Sequence, residues 1–301
     1  MNLRSIWQLF QEAFQEWNED KASRLAAALA YYTIFSIAPL LIIVIAIAGA
    51  VYGEEAARGE IVSQIQSLVG RDGAEFIEIA IKNAYRPQAG TIASIISLLL
   101  LLLGATGLFA ELQDSLNTIW EVQPRPGRGV SNIIRKRLLS FGMVVGIGIL
   151  LLLFLIASAV LTALVNYFSG LFPGVNFLWQ IVNFILSLAI ATFIFGLVFK
   201  VLPDVRLAWS DVLIGASITS VLFVLGQFLL GQYLANSSFA STYGAAGSLV
   251  VILAWVYYTA QILFFGAEFT QVYARKYGKP IVPSRRAISR NQTNPTQQRK
   301  S

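Results

Sequence analysis

Two carboxylates come first, because each interrupts an apolar helical stretch. Glu268 stands in Ala267-Glu268-Phe269 and Glu111 in Ala110-Glu111-Leu112. An acid inside a membrane-length segment is costly to bury, which makes it by default a candidate for transport or coupling. Both acids lie near the basic ends of their segments, so structural pairing with a neighbouring Lys or Arg is the other reading. Arg275 and Lys276 follow Glu268 at about two helical turns.

The chemistry open to these acids is narrow. The 301-residue chain has no histidine and no cysteine. Imidazole proton relays, His-ligated metals and thiolate nucleophiles are therefore excluded. There is no G-x-x-x-x-G-K-[ST] phosphate loop, and no carboxylates stand at metal-ligand spacing. Asp204 and Asp211, in the turn between two apolar stretches, read as caps of a helix start. No enzyme activity, metal or cofactor is expected.

Elements that cross a bilayer must position the acids. Hydrophobic residues make up 56% of the chain and charged residues 13%, against roughly 25% charged in soluble domains. Stretches of the required ~20 apolar residues fall at about 25–51, 91–110, 138–165, 181–201, 212–234 and 249–272. The expected fold class is all-α: a polytopic membrane protein of six transmembrane helices, with an N-terminal amphipathic helix and a short extracytoplasmic helical hairpin. Three regions follow from this, residues 1–24, a transmembrane domain 25–274, and a basic tail 275–301 expected to be disordered.

The N-terminal region places Leu3, Ile6, Trp7, Phe10, Ala13, Phe14 and Trp17 on one side. This fits a helix lying in the membrane interface and equally a helix packed beneath the bundle. Pro39, well inside the first span, predicts a kink. Tyr31, Tyr32, Thr33 and Ser36 precede it and are the groups available to satisfy the loosened carbonyls. Between residues 52 and 90, apolar spacings around Gly70–Gly73 predict two short amphipathic helices.

On the last span, Gly244, Gly247, Ser248, Val251, Trp255, Thr259, Ile262 and Gly266 fall near one face. Small and hydroxyl residues favour close helix packing there. Trp255 near mid-membrane either fills the core or lines a cavity. The candidate cavity or packing residues are Trp255, Thr259, Gln261, Gln227, Asn183, Tyr243 and Ser248.

Charge sets the orientation. Of the 22 Lys and Arg residues, 18 fall in the N-terminal region, the 111–137 and 200–211 connections and the tail, and four fall between residues 52 and 90. By the positive-inside rule both termini are cytoplasmic. The basic tail is expected to meet anionic lipid headgroups. No nucleic acid is expected as a partner, since aromatic residues are not interleaved with these charges. Homo-oligomerisation and envelope proteins stay open as partners.

Four stretches carry a family resemblance: RLAAALAYYTIFSIAPLL (Arg24–Leu41), LQDSLNTIWEV (Leu112–Val122), VLPDVRLAWSDVLIGA (Val201–Ala216), and the segment from STYGAAGSL to LAWVYYTAQILFFGAEFTQVYARKYG (Ser241–Gly278). In order and spacing they resemble the YihY/BrkB family of bacterial inner-membrane proteins, over about residues 20–280. The resemblance implies a six-helix protein of the bacterial plasma (inner) membrane, associated with virulence or serum resistance and suggested to include transporters or lipid flippases. It supplies no catalytic residues. The ribonuclease BN-like label often given to the family does not suit a chain lacking histidine, cysteine and a metal constellation. The expected function is a transporter or a flippase of a lipid or envelope component. The lack of Lys or Arg at mid-membrane counts against the lipid version. The alternative is a non-transporting scaffold in envelope organisation.

Overall fold

The computed structural model describes residues 3–84, 91–124, 175–235, 247–284 and 287–289, with positions 138, 142, 143, 145, 146, 149, 150 and 153. Helix α1 (Leu3–Glu19) leads through a tight turn, with Lys21 in the left-handed region (φ 55°), into α2 (Ala22–Tyr52). Helix α3 spans Glu54–Ala84 and is broken at Gly70 (φ 79°, ψ 177°), a backbone conformation that glycine adopts without steric cost. Next come α4 (Thr91–Ile119), α5 (Val175–Val201), α6 (Trp209–Ala235) and α7 (Gly247–Tyr277). Most of the third apolar stretch, 138–165, lies outside the described residues.

Four of the described helices are long and apolar enough to cross a membrane: Ala22–Ala50, Phe184–Val201, Trp209–Tyr233 and Gly247–Tyr277. On α5 and α6 large apolar side chains such as Phe184, Ile185, Leu225, Phe228 and Leu229 point outward and exposed. In water that patch would be an aggregation surface. Hydrocarbon solvates it.

Helix α7 is the hub, packing on α1, α2, α3, α4 and α6. Its contact with α6 is built from two reciprocal notches. A Cβ on Gly215 would stand 1.7 Å from Thr270 Oγ1, and one on Gly266 would stand 1.9 Å from Thr219 Oγ1. Each threonine donates back to the carbonyl four residues earlier on its own helix, Thr219 to Gly215 at 2.7 Å and Thr270 to Gly266 at 2.6 Å. The hydroxyls are thus satisfied locally while the glycines let the backbones close, the packing logic of small residues in membranes.

Helix α2 runs unbroken through Pro39. The residues ahead of the proline do not serve its loosened carbonyls. Thr33 donates to the Leu29 carbonyl at 2.7 Å, Ser36 Oγ accepts the Leu108 N–H at 3.2 Å, and Tyr31 and Tyr32 face outward. Helix α4 closes on the proline instead, where a Cβ on Gly104 would lie 2.9 Å from Pro39 Cγ.

Among the described residues, four short strands gather at one end of the bundle. Strand β1 (Val122–Pro124) pairs antiparallel with β4 (Ala287–Ser289), and β2 (Val205–Arg206) with β3 (Val282–Pro283). The segment after α7 therefore returns as a strap, tying the end of α4 to the turn between α5 and α6. This differs from the disordered tail expected over 275–301. Residues 275–277 complete α7, and the strap obtains the backbone hydrogen bonds that composition alone does not reveal. Residues 290–301 lie outside the described residues.

Candidate functional site

Several buried polar groups lie at the strand-bearing end. Glu268 faces inward on α7, fully buried, and neither carboxylate oxygen has a hydrogen-bond partner. Its neighbours on the same face, at i+3 and i+7, are Gln271 and Arg275. Gln271 is buried, and its Nε2 donates to the Ile119 carbonyl at the end of α4 (2.7 Å). Arg275 donates to Gln271 Oε1 at 3.5 Å and to Glu16 of α1 at 2.5 Å. The guanidinium expected to neutralise Glu268 is thus engaged elsewhere. Trp17 Nε1, Trp120 Nε1, Ser115 Oγ and Gln113 Oε1 are likewise buried without hydrogen-bond partners. Burying such groups unsatisfied costs free energy and calls for a reason.

Helix α1 covers this layer. Leu9 and Ala13 are fully buried against Phe269 and Val272, and Phe10 stacks on Phe265 (ring centroids 6.1 Å apart) and lies tilted against Phe269 (5.0 Å). Glu12 pairs with Lys276 and Glu16 with Arg275, so two ion pairs one turn apart latch α1 to the end of α7. Trp7 and Phe14 stay exposed. One stripe of the helix thus seals the bundle while the other faces outward, which accommodates both readings of its amphipathic pattern.

A second network lies on the other side of the α4 terminus. Asp204, in the turn after α5, is buried, and its Oδ2 accepts from Asn117 Nδ2 (3.2 Å) and Gln113 Nε2 (3.4 Å). Its N–H donates to Asn117 Oδ1 at 2.7 Å, and its carbonyl accepts the Ser284 N–H at 2.9 Å. Asp204 is therefore a clamp joining α4, the turn and the strap, not a helix cap. Asp211 accepts the Lys279 N–H at 3.0 Å and the Ser210 hydroxyl at 3.0 Å, fastening the exit of α7 to the start of α6. Two clefts flank β1. One of about 490 Å³ is lined by Gln271, Arg275, Trp120 and Glu121, the other of about 600 Å³ by Asp20, Arg24, Asp114 and Asn117.

Glu268, Gln271, Arg275, Gln113, Asn117, Asp204 and Asp211 all come from the stretches that carry the family resemblance, and a family model described as "Virulence factor BrkB" matches residues 13–289. The chain belongs to the BrkB family. The match includes the Arg275–Glu16 pair, the Asp204 clamp and the strap, and leaves out Glu12 and the residues before it. BrkB-family relatives include a UPF0761 membrane protein of Alcanivorax borkumensis, 27% identical over 273 residues, covering 89% of this chain and 60% of the relative. Another, from Psychrobacter sp., is 28% identical over 258 residues, covering 84% and 46%. A third, from Tolumonas auensis, is 28% identical over 261 residues, covering 83% and 80%. This BrkB chain therefore spans only part of each relative's length. No solved structure matches it.

The two acids singled out in the BrkB sequence part company in the structure. Glu111 is only half-buried and has an interaction partner, whereas Glu268 is sealed in; neither lines the two clefts. Trp255 fills core, edge-on to Phe223 at 6.3 Å. Thr259, Gln261, Gln227 and Ser248 are half-buried, and Gln261 Oε1 has no hydrogen-bond partner. Tyr243 and the side chain of Asn183 lie outside the described residues. Among the described residues no group of three or more Asp or Glu could hold a metal. Gln271, Glu16 and the Asp204 clamp escape the sequence reading. Gln113 and Asn117, four apart on α4, are the one signal for that clamp, since i and i+4 polar residues share a face.

Proposed function

We propose that this BrkB-family protein is a membrane transporter or flippase that moves an amphipathic envelope component, with Glu268 as its coupling residue. The observation that carries the reading is the fully buried carboxylate with no hydrogen-bond partner, inside a helix of membrane-spanning length. Such a group is expensive in a bilayer and is retained where function requires it. The chain works without catalysis, as a six-span protein of the bacterial inner membrane with both termini in the cytoplasm. The strand-bearing end then faces the cytoplasm, as the distribution of Lys and Arg favours. The basic C-terminal segment rests on anionic headgroups.

Reconstitution tests this. Purified protein in liposomes is expected to accelerate movement of labelled phospholipids or of amphipathic solutes above protein-free vesicles. Equal rates across the panel, together with a phenotype that survives Glu268→Gln and fails on removal of residues 285–300, would favour the scaffold instead.

A further inference from the structure

The 490 Å³ cleft reaches the face of α7 that carries Glu268. At about 1.5 Å of rise per residue, Gln271 lies roughly 4.5 Å along the axis from Glu268, and Arg275 roughly 10 Å. Both Gln271 and Arg275 line the cleft, with Trp120 and Glu121 of the α4 exit opposite. The side chain of Gln271 thus stands on α7 between the cleft and the buried acid. It is pinned on one side by the Ile119 carbonyl and on the other by Arg275.

We propose that Glu268 is a proton-binding site that exchanges with this cleft past Gln271, which acts as a plug held by the Arg275–Glu16 latch. The proposal rests on the reading of Glu268 as the coupling residue and identifies the ion it couples to. Complete burial leaves no space for a larger cation at the carboxylate, and a hard metal ion requires several oxygen ligands. A proton requires only the carboxylate. The step is an exchange with water admitted when the Gln271 side chain swings aside: hydronium from the cleft gives its proton to a Glu268 oxygen and leaves as water, Gln271 closes again, and release reverses this. The charged groups that face Glu268 are Glu16 from α1, Asp20 from the α1–α2 turn, Glu121 from the α4 exit, and Arg275 from its own helix. Glu16 and Arg275 pair with each other, and Asp20 and Glu121 are both acidic.

The test is infrared difference spectroscopy on the full chain in liposomes, following the carboxylic-acid C=O band of a buried Glu during pH steps and its shift on transfer to D₂O. A titrating band is expected in the wild type and absent from Glu268→Gln. Gln271→Leu, which blocks the path with an apolar plug of similar size, is expected to slow deuterium exchange at that band by about tenfold. Gln271→Ala is expected to speed it. A missing Glu268-dependent band would overturn the proton site. Unchanged exchange in both Gln271 variants would overturn the path. Neither readout requires a transported substrate, so failure here is distinct from failure of the flux assay.

Discussion

A buried polar group without a partner costs about 1–3 kcal/mol, and Glu268 has two such oxygens. Glu268→Leu, close in volume, is therefore expected to stabilise the protein by about 1–3 kcal/mol while abolishing coupled transport. Denaturation of the purified variant in detergent checks this, and a loss of stability would reveal a partner for the carboxylate. Asp204 should behave in the opposite way. Asp204→Ala strands Asn117 and Gln113 and is expected to cost about 2–3 kcal/mol. Adding Asn117→Ala should then cost little more, because the two share one network. Sequence marks Glu268 as unusual, because a lone acid breaks an apolar run. It does not reveal that Arg275 is held by Glu16, a residue 259 positions away. Contacts across that separation leave no local pattern to read.

The element most exposed to a single substitution is the α6–α7 contact. Gly266→Val forces a side chain onto Thr219 and is expected to cost about 1–3 kcal/mol by overpacking. Thr219→Ala should relieve part of that loss, and a double-mutant cycle on thermal stability measures the rescue. Strictly additive losses would show that the notch is not shared. The α1 latch is weaker, since exposed ion pairs contribute about 0–1 kcal/mol each. Reversing both acids, Glu12→Lys with Glu16→Lys, is expected to detach α1 and to increase its cleavage by protease, with little change in the midpoint of bundle unfolding. The sequence predicts the small-residue face of α7 through Gly266 and Ile262, whose spacing is helical. The partner notch at Gly215 is visible only once α6 is laid antiparallel beside it. The strap was hidden for a different reason. Strands of two or three residues have too little periodicity to separate them from a polar tail.

For the whole molecule, hydrophobic length and the asymmetry of Lys and Arg carry most of what can be read from sequence. Membrane class follows from composition, and four of the expected spans correspond to described helices long and apolar enough to cross a membrane. The packing order does not follow from those patterns, because lipid and protein interior are equally apolar. Nothing in a run such as α5 says which face meets its neighbours. The cysteine-free chain makes orientation directly measurable. Single cysteines at exposed Arg4 and Tyr277 are expected to react with an impermeant maleimide only from the cytoplasmic side of oriented vesicles, whereas one at exposed Gly59 should react only from the other.

Proton coupling of transport through Glu268, as proposed above, stands or falls on one comparison. Wild type and Glu268→Gln, reconstituted at equal density in liposomes under an imposed pH gradient, test it most directly. The wild type is expected to move the labelled amphipathic substrate at a rate that changes when the gradient is collapsed. Glu268→Gln is expected to be folded and to show no response to the gradient. An identical rate and an identical gradient response in the two proteins would contradict the account.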